Sequence, residues 1–124
     1  MRDPNQPSGT SQELRTRRAE ADNLRSEIDY DVRSAFLDLK ATEEQLTVAS
    51  AARDLADRQL QQARDRLAAG VANTIEVVQA QEAVALASEQ YISALYGFNI
   101  AKAVLARGMG IAEEAARQYI GGMR

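Results

Sequence analysis

Arg66-Leu67-Ala68-Ala69-Gly70-Val71-Ala72-Asn73-Thr74-Ile75-Glu76-Val77-Val78-Gln79-Ala80-Gln81 holds a turn between two long stretches of matching side-chain rhythm. Upstream, positions seven apart form a small series, Ala35, Thr42, Ala49, Ala56 and Ala63, and a large series, Val32, Leu39, Leu46, Leu60 and Leu67, broken by Arg53. Downstream, Ala80, Ala87, Ala94, Ala101 and Gly108 are small, while Val77, Val84, Tyr91, Phe98 and Leu105 are large. Folding the chain back at Gly70 to Asn73 brings Leu67 to Val77, Leu60 to Val84, Leu46 to Phe98 and Leu39 to Leu105 at one constant register. The same register sets Ala63 against Ala80, Ala56 against Ala87, Ala49 against Ala94, Thr42 against Ala101, and Arg53 against Tyr91. A 4-3 spacing held over several heptads is the pattern of a left-handed coiled coil, and small seam residues allow close backbone approach. The predicted fold class is therefore all-α, a long antiparallel coiled-coil helical hairpin.

The first helix is expected over residues 11–69, a stretch free of glycine and proline. Acid-before-base pairs four apart, Glu13 with Arg17, Asp29 with Arg33 and Asp54 with Arg58, suit its solvated side. Residues 70–73 form the turn. Gly70 suits the left-handed position just past a helix end, Asn73 suits the N-cap, and Glu76 stands where it would complete a capping box. The second helix is expected over 74–107, because Gly108 and Gly110 weaken the pattern there. Together these elements make a hairpin domain over 11–110. Residues 111–124 then read as a C-terminal tail, partly helical and frayed, and residues 1–10 as a tag or linker without helical rhythm.

Two long helices enclose little volume, so much apolar surface should stay outside the seam. The second helix carries one extra apolar stripe at Val78, Ala85, Ile92 and Tyr96, and another at Leu86, Ile100 and Val104. Phe36, Leu37, Val48 and Leu55 lie off the seam of the first. A helix apolar on several sides is normally buried among several neighbours, which makes the hairpin one stave of a larger helical assembly.

Other classes find little support. Without histidine or cysteine the chain lacks the commonest general base, the thiolate nucleophile and the best metal ligands. No glycine-rich phosphate loop follows a strand, and the adjacent Glu43 and Glu44 point in different directions around a helix. No enzyme activity, cofactor or metal site is expected. The net charge of -3 arises from interspersed charges, and the Arg15, Arg17, Arg18 cluster is flanked by Glu13, Glu20 and Asp22, so it reads as a solvated face and not a nucleic-acid surface. A membrane-spanning helix is excluded because the longest charge-free run in the most apolar region, Gln90 to Ala101, is too short. Arg53, the one charge in a large seam position, reads as a guanidinium stacked on the Tyr91 ring with its charge reaching solvent.

The motif Arg66-Leu67-x-x-Gly70-x-x-x-Thr74-x-Glu76-Val77-x-x-Ala80-Gln81 resembles the periplasmic tip of TolC-like outer membrane efflux proteins. Asp31 to Leu39 upstream, and Tyr91-Ile92-x-Ala94-Leu95-Tyr96 with Asn99, Ala101, Lys102, Leu105, Ala106 and Gly110 downstream, are similar too. The likeness extends over about residues 13 to 120 and is to the C-terminal structural repeat. It implies a piece of a trimeric α-barrel, the periplasmic portion of an outer membrane protein, that exports substrates with an inner-membrane pump and a periplasmic adaptor. It further implies an adaptor-docking tip at Arg66, Leu67, Ala69, Gly70, Val71, Ala72, Asn73 and Thr74, and a channel constriction at Glu76 and Gln79. Gln79 replaces the second acid found in some members, and Ala69 the usual valine. The chain then reads as an excised hairpin, expected to self-associate through Val78, Ile92, Leu86 and Ile100. Two rivals remain: the hairpin of a periplasmic adaptor, which usually carries a serine where Ala72-Asn73-Thr74 stands, and a coiled-coil scaffold with no transport role.

Overall fold

The computed structural model describes residues 9–122 as two helices, α1 (Gly9–Ala68) and α2 (Thr74–Gly121), folded back on one another by a five-residue turn. Their lengths, 60 and 48 residues, correspond to about 90 Å and 72 Å at a rise of 1.5 Å per residue. The architecture is an all-α antiparallel hairpin. Residues 1–8 and 123–124, which include most of the expected tag or linker and the end of the tail, lie outside the described residues.

The buried side chains are Ala35, Ala56, Ala63, Val77, Ala87 and Ala101, all drawn from the two seven-residue series. Val32, Leu39, Leu46 and Leu60 on α1, and Val84, Tyr91, Phe98 and Leu105 on α2, are half-buried along the same line. Small residues sink deepest because they lie where the backbones come closest, and larger ones close over them from the flanks. Thr42 adds a polar atom to this seam without leaving it unpaired. Its hydroxyl lies 2.9 Å from the Leu39 carbonyl and 3.0 Å from that of Asp38, and donates back into its own helix. Two seam positions are exposed. Leu67 sits in the last turn of α1, where the helices part, and Arg53 carries its guanidinium outward over Tyr91, 5.0 Å from the ring centre.

α2 differs from the sequence expectation at its far end. It does not stop at Arg107 but continues without interruption through Gly108 and Gly110 to Gly121, where the Gly122 N–H donates to the Gln118 carbonyl at 3.0 Å. Each glycine inside a helix costs about 1 kcal/mol relative to alanine, and seam contacts offset that cost. Gly108 lies against Val32, Ala112 and Ala115 are half-buried, and Arg25 stacks over Tyr119 at 4.8 Å. Arg25 with Tyr119 keeps the register of Arg53 with Tyr91, so the pairing extends well beyond the expected hairpin. α1 in turn starts at Gly9, ends at Ala68, and overhangs α2 before Arg25, leaving Leu14 and Leu24 exposed.

The acid-before-base pairs expected on α1 do not close. Among the described residues the ion pairs are Arg66 with Glu76 and Glu113 with Arg117. An exposed pair within one helix is worth only ~0.2–0.5 kcal/mol, so whether any one of them closes changes the stability of the hairpin little.

Candidate functional site at the hairpin apex

α1 ends through backbone geometry that only a glycine adopts without strain. Gly70 has φ +75°. From there its N–H donates to the Leu67 carbonyl at 3.0 Å, and the Val71 N–H reaches the Arg66 carbonyl at 2.9 Å. This pair of bonds is a Schellman motif, which satisfies carbonyls that the helix end would otherwise leave open. The Ala69 N–H still bonds to Asp65, and the Ala72 N–H shares the Arg66 carbonyl at 3.3 Å. The apex is thus held by main-chain bonds, and side chains are free to face outward.

α2 begins at Asn73, whose extended backbone lets its Oδ1 accept from the Glu76 N–H at 3.2 Å. The capping box is only half made. Instead of returning to the Asn73 N–H, the Glu76 carboxylate faces α1 and lies 4.0 Å from the Arg66 guanidinium. Each charge sits at the helix end whose dipole favours it, Arg66 in the last turn of α1 and Glu76 in the first turn of α2. Both side chains remain about half exposed, at 50% and 44%.

The sequence-expected tip residues Arg66, Leu67, Ala69, Gly70, Val71, Ala72, Asn73 and Thr74 all fall within this turn and its two flanking helix ends. Leu67 and Val71 are exposed, as is Ile75 one residue further on, giving the apex an apolar surface beside its one interhelical ion pair. Gln79 stands one turn beyond Glu76 and is exposed. Sequence reading did not foresee the Arg66–Glu76 contact. The register that sets Leu67 against Val77 places these two a pair of residues out of line, an offset that the long arginine side chain spans.

Among the described residues no group of three acidic, histidine or cysteine side chains is placed to hold a metal, and no buried side-chain nitrogen or oxygen lacks a partner. A shallow groove elsewhere on the hairpin is lined by Ala41, Glu44, Gln45, Val48, Ala49, Ala52 and Gln90. No described helix is long and apolar enough to cross a membrane.

The sequence pattern of the family described as outer membrane efflux protein matches residues 8–110, most of the chain. The chain belongs to the outer membrane efflux protein family. No curated protein and no solved structure gives a match. Membership of the outer membrane efflux proteins places the hairpin in a family of transport channels and sets aside the adaptor and scaffold readings. The family match ends at Gly110, whereas α2 of this efflux protein continues for a further eleven residues to Gly121.

Proposed function

We propose that this hairpin is a periplasmic segment of the helical barrel of an outer membrane efflux duct, forming part of the conduit wall and docking a periplasmic adaptor at its apex. In this reading the complete protein is a homotrimer that works with an inner-membrane pump, and the paired helices are a coiled coil. Arg66, Leu67, Ala69, Gly70, Val71, Ala72, Asn73 and Thr74 form the docking surface, and Glu76 with Gln79 lines the constriction just inside it.

The observation that carries the reading is apolar surface that none of the described residues covers. Val78, Leu86, Ile92, Ile100 and Val104 on α2, with Phe36, Leu37, Val48 and Leu55 on α1, are all exposed. The accessible surface is 10245 Å², whereas a compact protein of this mass exposes about 6,600 Å². The excess exceeds the roughly 1,600 Å² buried in a standard protein interface. Neighbouring hairpins packed side by side would cover these stripes and leave the apex free.

The tip assignment is tested by Gly70→Asp in the assembled channel. That change should abolish adaptor capture and efflux while trimers still form, and normal efflux would refute the assignment. For the stripes, sedimentation of the hairpin should show concentration-dependent association that Ile92→Lys weakens. A strict monomer at millimolar concentration would show that the stripes do not pack against one another.

A further inference from the structure

Within the proposed duct, Glu76 stands at the mouth and Gln79 carries no charge, so the electrostatics of that face turn on a single carboxylate and on whatever lies beside it. What lies beside it is Arg66, 4.0 Å away across the apex. Their separation follows from the backbone. Gly70 terminates α1 through its Schellman bonds, Asn73 starts α2, and together these fix the last turn of one helix against the first turn of the other. The pair persists as a feature of net charge even when its side chains fluctuate, because neither backbone position can move away without opening the turn.

Charge in the surrounding sequence is balanced as well. From Arg64 to Gln79 the charged residues are Arg64, Asp65, Arg66 and Glu76, two of each sign. Asp65 accepts from the Gln61 side chain at 3.1 Å on its own helix and does not turn toward Glu76. Arg66 is therefore the cation that meets the mouth carboxylate. An isolated carboxylate at a constriction attracts cations and repels anions, and a guanidinium at this distance converts that monopole into a short-range dipole.

We propose that Arg66 is a selectivity-determining residue of the duct mouth: by neutralising Glu76 within the same hairpin, it leaves the mouth weakly discriminating between small cations and anions. The proposal rests on the placement of Glu76 at the mouth, and the test separates the two. The cation-to-anion permeability ratio of the assembled channel in a planar lipid bilayer is read from the reversal potential in a KCl gradient. Arg66→Gln should raise that ratio several-fold, Glu76→Gln should lower it, and the double substitution should return it close to the wild-type value. Arg66→Lys, which retains the charge, should leave the ratio unchanged, and the charge-swapped pair Arg66→Glu with Glu76→Arg should also preserve it.

A ratio that moves with Glu76→Gln but not with Arg66→Gln would overturn the neutralising role while leaving Glu76 at the mouth. A ratio indifferent to both single substitutions would remove Glu76 from the mouth, and the proposal with it. If Arg66→Gln fails to assemble, the charge-swapped pair still decides: a strong shift in selectivity there would overturn the proposal.

Discussion

The guanidinium of Arg53 lies over the Tyr91 ring, 5.0 Å from its centre, at the one place where the large series of α1 is interrupted by a charge. This contact shows that the break in the pattern is a local substitution and not a change of register. The same pairing recurs at Arg25 over Tyr119, so two arginine–tyrosine stacks bracket nearly half of α1.

Replacing Arg53 with leucine should preserve or raise hairpin stability. The exposed stack is worth about 0.5–1 kcal/mol, and a leucine would regain comparable apolar contact against Tyr91. Thermal unfolding at a fixed protein concentration measures this. A large fall in Tm would mean that the charge of Arg53, and not its flat apolar surface, holds the seam there.

At the apex, Gly70→Ala should destabilise the hairpin by about 1–2 kcal/mol, because φ +75° is a left-handed conformation that L side chains resist. No atom stands within 4 Å of the added Cβ, so the cost comes from the backbone alone. Gly70→Asn should cost less, since asparagine enters this region more readily. Denaturant titration of the three proteins should rank them Gly, Asn, Ala, and equal stability would show that the turn relaxes to another geometry.

Inside α2 the opposite sign is expected. Gly97→Ala meets nothing within 4 Å, and Gly108→Ala meets Val32 Cγ2 at 3.6 Å, an ordinary contact. Each should stabilise the isolated hairpin by up to about 1 kcal/mol through helix propensity. A loss of stability at Gly108 would mean that the seam there is tighter than ordinary contact.

Seam alanines should resist enlargement. Ala87→Leu inserts three carbons at a buried position where overpacking costs typically ~1–3 kcal/mol, whereas Ala83→Leu, on the exposed side of the same helix, should be nearly neutral. A comparison of the two melting curves checks the seam directly. Equal effects would place the contact line elsewhere.

The seam was legible because a repeat of seven needs nothing beyond the chain itself: Ala35, Ala56, Ala63, Ala87 and Ala101 stand in the small series, and each is buried. Gly70 and Asn73 were legible for a similar reason, since left-handed backbone and N-caps are local preferences. The end of α2 was not. Glycine propensity argued for a stop at Gly108, but propensity is a matter of about 1 kcal/mol and the contacts with Val32 and Arg25 come from residues more than seventy positions away.

The sequence by itself determined the two helices, the turn between them and the face each turns to the other, because hydrophobic spacing and turn chemistry act over a few residues. Only the tertiary structure decided that α2 runs on to Gly121 and that the Glu76 carboxylate leaves its capping position for Arg66 on the other helix. Those outcomes turn on distances between residues far apart in the chain. Each is a contest of terms near 1 kcal/mol that three-dimensional proximity settles.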